Sequence, residues 1–330
     1  VPAGYGGGPW GPALAPRPGI IPLRPLSLGE IFDGAFKAIR TNPRVMFGLS
    51  AIVVTITAAL EAVVSWRIFA VLEPALTSPA LAAEGSVEEL NALLGDLVSQ
   101  LGLVLGASAI SFVVTTLLSG LLIVSVSRSV IGRTIGPAEV WASAKGQLGR
   151  LLGLTVLLLA VVAAPLAVWG GLTTAALVNE QWALGAVVGI LGFVAALVGT
   201  VVLVTRTLLA TPALMLEQAS VAESLRRAWR LTRGCFWRVF GIYLLTSLLV
   251  GIVAGAITNG AALVLQVTAT DPAALLVSPT YLVGSALAQI VATTLTTPFS
   301  AGVTALLYID VRMRSEGLDI ELARAAEQAA

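Results

Sequence analysis

Six long stretches of this chain are almost free of charge, at about residues 45–69, 100–127, 151–178, 183–206, 239–266 and 281–309. A helix rises about 1.5 Å per residue, so about 20 apolar residues cross the ~30 Å hydrocarbon core of a bilayer. Every stretch is long enough. Charged residues make up only 11% of the chain, against about 25% in soluble domains. So few charges could not cover a water-soluble surface of this size. The expected fold class is therefore all-α: a polytopic membrane protein with six transmembrane helices. Every span contains Gly, Thr or Ser, as membrane helices tolerate. Pro165 and Pro298 are expected to kink spans three and six.

The basic residues orient the bundle. Arg17, Arg24, Lys37, Arg40 and Arg44 precede span one, and Arg128, Arg133, Lys145 and Arg150 lie between spans two and three. Arg206, Arg226, Arg227, Arg230, Arg233 and Arg238 lie around the connection of spans four and five, and Arg312, Arg314 and Arg324 follow span six. Of the nineteen basic residues, only Arg67 falls on the other side, with Glu73, Glu84, Glu88, Glu89, Asp96, Glu180 and Asp271. The positive-inside rule then places both termini in the cytoplasm of a bacterial cell, with the spans in its cytoplasmic membrane.

Residues 1–26 are rich in Pro and Gly and lack the apolar core of a signal peptide, so a disordered cytoplasmic tail is expected, with Tyr5 and Trp10 as possible docking anchors. The membrane domain is expected over 27–314 and a second tail over 315–330. Within the outer segment 70–99, the run SVEELNALLGDLVSQ predicts a short acidic helix leading into span two.

The sequence also repeats itself. SLGEIFDGAFKAIRTNPRVMFG (27–48) aligns without a gap with SVAESLRRAWRLTRGCFWRVFG (220–241). A shorter copy, GPAEVWASAKGQLGRLLG, starts at Gly136. Ser27 with Glu30, and Ser220 with Glu223, have the spacing of a capping box. In the shorter copy Gly136 and Pro137 read as a helix start. Leu28, Ile31, Phe32, Ala35, Phe36 and Ile39 share one helix face, and Glu30, Asp33, Lys37 and Arg40 the other. Val221, Leu225, Ala228, Trp229 and Thr232 oppose Glu223, Arg226, Arg227, Arg230 and Arg233 in the same way. Such helices lie in the membrane interface. The reading is three parallel repeats, about 27–135, 136–217 and 218–314, each an interfacial amphipathic helix on the cytoplasmic side followed by two spans. Parallel repeats differ from the inverted pairs of many secondary transporters.

LGEIFDGAFKAIRTNP, ESLRRAWRLTRGCFWRVFGIYLL and LLYIDVRMRSEGLDIELA together resemble the actinobacterial branch of the glycerophosphoryl diester phosphodiesterase membrane-domain family, a group of six-span proteins related to YciC. The resemblance runs over about 24–325. It implies the membrane module alone. The catalytic domain fused to it in some members works with paired histidines, carboxylates and a divalent metal, and this chain has no histidine. The resemblance also implies protein partners, a MoxR-type ATPase system among them.

Few residues remain for chemistry. The absence of histidine excludes His-based metal sites and His-based catalysis, and a single cysteine, Cys235, excludes an internal disulfide. No Walker loop, zinc spacing, nucleophile elbow or dinucleotide fingerprint is present. No enzyme activity, cofactor or nucleic-acid partner is expected. Cys235 reads as inert, with acylation at the membrane edge as the alternative.

Two groups of residues carry the functional candidates. Arg128, Arg206 and Arg312 stand at equivalent span ends and could converge on an anionic headgroup or substrate. Arg226, Arg230 and Arg233 form a basic cluster that could attract anionic lipid. Glu61 lies in the outer third of span one, where it is an interface position, a cation- or proton-linked site, or a partner of another helix. Asn259 in span five, and Gln289, Thr293 and Thr297 in span six, make a second intramembrane polar group. They either hold helices together or line a cavity between spans five and six. The leading expectation is a non-catalytic scaffold or subunit of a membrane assembly that contacts anionic lipid. The alternatives are a carrier of a lipid or small amphiphile, or the membrane module of a phosphodiesterase system.

Overall fold

The structure, a computed structural model, describes residues 20–22, 24–77, 87–268 and 278–317. Tyr5, Trp10, Arg17, Glu84, Asp271, Arg324 and most of both expected tails lie outside the described residues. All regular structure among the described residues is helical. Ten α-helices follow one another among the described residues: α1 Leu28–Thr41, α2 Pro43–Thr77, α3 Val87–Val130, α4 Pro137–Ala144, α5 Leu148–Val178, α6 Trp182–Thr207, α7 Ala210–Glu217, α8 Val221–Arg233, α9 Phe236–Thr268 and α10 Pro279–Glu316. Six are long and apolar enough to cross a membrane, and they correspond to the six expected spans. Helices α5 and α10 run on through Pro165 and Pro298. The helix expected ahead of span two is not separate; it forms the first turns of α3.

The three short amphipathic segments fold as helices with different starts. Ser27 accepts from the Glu30 N–H, and Glu30 accepts from the Ser27 N–H at 2.8 Å, completing a capping box. At α8 only the first half forms: Ser220 accepts from the Glu223 N–H. Helix α4 starts at Gly136 with Pro137 in its first turn. Helix α1 buries Ile31, Gly34, Ala35 and Ala38. Phe36 and its sequence counterpart Trp229 are exposed, not turned into the protein.

Helix α10 is the hub. It packs against α9, α2, α1 and α3, and it is the most buried span. The α5–α6 hairpin packs mainly on itself and leans on the rest through α3 and α8. Its Ile190, Leu191 and Val194 are exposed, which suits a helix facing lipid tails as apolar as itself.

Packing is polarised along the bundle. The buried core gathers Ala35 and Ala38, Leu122 and Ile123, Leu151, Leu214 and Leu306, all towards the end where the arginines lie. Helix α7 is central to it: Ala210–Met215 are all buried. This helix was not expected, because ATPALMLE is apolar throughout and reads as a continuation of span four. Part of the expected leader also joins the core, with Ile21 and Leu26 fully buried. Close approach of α1 and α10 depends on glycine. A Cβ on Gly34 would come within 2.8 Å of Leu306 Cδ1, and one on Gly302 within 3.3 Å of the Ala35 Cα.

Candidate functional site

At the arginine end two sets of charges are joined by ion pairs. Asp310 of α10 is fully buried. Its Oδ1 accepts from the Leu26 N–H at 2.8 Å and from Arg314 Nε at 2.9 Å; its Oδ2 accepts from Arg238 Nε at 2.9 Å. Arg238 and Arg314 also donate to the Leu26 carbonyl, at 2.7 and 2.8 Å. A buried carboxylate is tolerable only when paired and hydrogen-bonded, and this one is. The result joins the segment before α1 to α9 and α10.

A second network sits beside it. Glu217, at the end of α7, accepts from the Tyr308 hydroxyl and pairs with Arg227 and with Arg312. Glu316 accepts from Arg227 at 2.9 Å and from Arg312 at 3.0 Å. Burial disfavours the Arg227 charge, but the Tyr308 and Glu217 contacts outweigh it and raise the guanidinium above its usual range.

The six candidate arginines are therefore not alike. Arg312 is held in this network. Arg206 stacks over Trp229 and Phe236, 5.4 and 5.2 Å from the ring centroids, and its buried Nη1 has no hydrogen-bond partner among the described residues. Arg128, Arg226, Arg230 and Arg233 are exposed. Arg128, Arg206 and Arg312 share no partner among the described residues, so no common anion cradle forms from side chains already in contact.

Cys235 lies half-buried next to this region and donates to the Leu231 carbonyl. Burial, helped by the nearby Asp310 charge, pushes its thiol up. Thiolate is the reactive form, so alkylation by a small maleimide at pH 7 is expected to be slower than for a free peptide cysteine. It should accelerate as pH rises. Mass spectrometry of the timed reaction checks this, and labelling as fast as a free peptide cysteine would contradict it.

The intramembrane candidates behave differently. Glu61, Asn259 and Gln289 meet at one cavity of about 300 Å³ between α2, α9 and α10. Thr258, Tyr281 and Ser285 complete its polar wall. Counting 1.5 Å per residue back to Arg44, Arg238 and Arg312, the three candidates lie roughly 25–35 Å from the arginine end. They share one depth, near the far edge of a bilayer core. Thr293 and Thr297 are not in the wall; they lie one and two turns nearer the arginines, with Thr297 buried. The Ser65, Thr258 and Ser285 hydroxyls donate to carbonyls of their own helices. The side chains of Glu61, Asn259 and Gln289 have no such partner among the described residues.

Tyr281 and Ser285 were missed as candidates. The signal was present: Tyr281, Ser285 and Gln289 recur every four residues and stack on one face of α10. A larger cavity, about 440 Å³, opens nearer the arginines among α3, α5, α6, α7, α9 and α10. Most of its hydroxyls are already satisfied: Thr116, Ser119, Thr207 and Thr304 each donate within their own helix.

Helices α6 to α10 thus carry both ion-pair networks and two of the three walls of the polar cavity. Residues 181–329 match the membrane domain of glycerophosphoryl diester phosphodiesterase. The resemblance read from the sequence holds over this stretch. The match to the glycerophosphoryl diester phosphodiesterase membrane domain includes Glu217, Asp310, Asn259 and Gln289, and it leaves out α2 with Glu61. It is a match to the membrane domain and not to the catalytic domain. Comparison with curated proteins and with solved structures returned no match. Six apolar helices and this membrane-domain match make the chain a multi-pass membrane protein.

Proposed function

We propose that this chain is a non-catalytic membrane module that binds an amphiphile in the cavity of α2, α9 and α10, as a carrier does. The observation that carries this reading is the convergence of Glu61, Asn259 and Gln289 on that cavity. Polar side chains within a membrane usually join helices by hydrogen bonds. Among the described residues these three do not bond across their helices. A polar ligand or water is what such groups require. In this reading the arginine end faces the cytoplasm of a bacterial cell, by the positive-inside rule, and the cavity belongs to the outer leaflet. The module is built from the three units 27–135, 136–217 and 218–314.

Native mass spectrometry of the protein released from its own membranes tests the proposal. A retained small molecule is expected in the parent. In Ala62→Phe, which fills the cavity wall, its occupancy should fall about tenfold, equivalent to about 1.4 kcal/mol. Equal occupancy in the two proteins would overturn the reading.

A second reading, the scaffold in contact with anionic lipid, draws support from the exposed row Arg226, Arg230 and Arg233 on α8. Each cation near an anionic surface contributes about 1 kcal/mol. The two readings use opposite ends of the bundle, and a carrier could also be a subunit of an assembly.

A further inference from the structure

We infer that the amphiphile taken by this cavity carries an ammonium headgroup and lays its chain in the apolar groove next door. The inference rests on the carrier reading and names its ligand class.

Charge comes first. Among the described residues Glu61 is the sole ionisable acid or base in the cavity wall apart from the Tyr281 phenol, and no lysine or arginine among them lines it. The chain's cations are concentrated at the other end of the bundle, and Arg67, the exception, stays out of the wall. A phosphate or carboxylate headgroup here would meet a like charge, with no cation in the described wall to offset it. An ammonium would meet an opposite one, and every unit of dielectric lost on leaving water strengthens that attraction. Hydrogen bonding agrees. A primary ammonium has three N–H donors and no acceptor. Glu61 offers carboxylate oxygens, and Asn259 and Gln289 each offer an amide carbonyl. These acceptors have no partner among the described residues, so the site need not break internal bonds to receive the ligand.

Shape supplies the second half. A groove of about 290 Å³ lies between α2 and α10, and its wall is almost wholly apolar. Ala62, Leu282 and Ala286 line both it and the polar cavity, so the two compartments are contiguous. Val63, Trp66 and Ile290 flank the apolar side. A polar compartment sharing a wall with an apolar one matches a molecule with a head and a tail. A small hydrophilic cation would leave the groove empty, and a plain hydrocarbon would leave Glu61 unanswered.

Trp66 provides the readout, since it borders the groove. Two probes with the same nitroxide-labelled stearyl chain, one a primary amine and one a carboxylate, are titrated into the full-length protein in uncharged maltoside detergent. The signal is the saturable quenching lost in Trp66→Phe and displaced by unlabelled stearylamine. The amine is expected to half-saturate at a concentration about tenfold below the carboxylate, and in Glu61→Gln the two should agree within about twofold. A carboxylate probe that equals or beats the amine in the parent protein overturns the ammonium assignment, without recourse to any variant at Glu61. So does a preference for the amine that survives in Glu61→Gln. If neither probe gives saturable quenching dependent on Trp66, the amphiphile reading itself fails.

Discussion

Asp310→Ala is expected to lower the thermal midpoint of the protein in detergent by roughly 10 °C. The carboxylate is fully buried, and it receives the Leu26 N–H, Arg238 and Arg314. Removing one partner of a buried pair costs about 3–5 kcal/mol, because the other charge is left without compensation. The lower part of that range applies. Arg238 and Arg314 are 30% and 39% exposed, so water can take up part of the loss. At about 2–4 °C per kcal/mol for a domain of some 200 residues, the shift is of the size stated. Asp310→Asn should fall between, since the amide oxygen can still receive the Leu26 N–H. The exposed pair of Asp33 and Lys37 is the control: Asp33→Ala should move the midpoint by no more than about 2 °C. Tryptophan fluorescence during heating measures all three. A loss below 2 °C for Asp310→Ala would mean that the knot closes without its central acid.

Gly302→Leu should have the second large effect. A Cβ at this position lies 3.1 Å from the Ala35 Cβ and 3.3 Å from the Ala35 Cα. The second contact is backbone, so the neighbour can yield only if α1 moves as a whole. Alanine needs a displacement of a few tenths of an ångström, and its penalty should stay near about 1 kcal/mol. Leucine cannot be fitted that way. Overpacking a tight site costs about 1–3 kcal/mol, and more when the backbone must shift. The ring contacts of Phe32 and Phe36 with Phe299, at 5.6 and 4.9 Å, would also be strained, each worth about 0.5–1.5 kcal/mol. The expected outcome is loss of most monodisperse protein on size-exclusion chromatography for Gly302→Leu, with Gly302→Ala near the parent. Parent-like recovery of the leucine variant would show that α1 is not seated on α10.

Much of this fold can be read before any coordinates. Span positions follow from length and apolarity, since a bilayer leaves few ways to satisfy a buried backbone. The Ser27 and Glu30 spacing correctly marks the start of α1. Long-range pairing is what composition hides. Asp310 sits among Arg312 and Arg314 in the sequence and reads as one more interfacial charge; its burial depends on Leu26, 284 residues earlier. Helix α7 was hidden for the opposite reason, because an apolar run gives no period by which to end one helix and begin another. The polar cavity was half legible. Glu61, Asn259 and Gln289 each stand out singly in an apolar span. Only the packing of α2 and α9 on α10 brings them to one cavity, and Thr293 and Thr297 belong to the same stripe but not to its wall.

The link between Leu26 and Asp310 also sets an order of events during synthesis. Helix α1 leaves the ribosome ahead of all six spans, yet the groups that anchor its leading end lie on α9 and α10. Contacts this distant in sequence form late, because the intervening chain must first be confined. Five spans are therefore inserted before the first helix can be fastened. Until α10 arrives, the core that takes up Ile21 and Leu26 lacks its Phe299–Met313 portion. The seat of the chain's leading amphipathic helix is thus completed only by the arrival of α10.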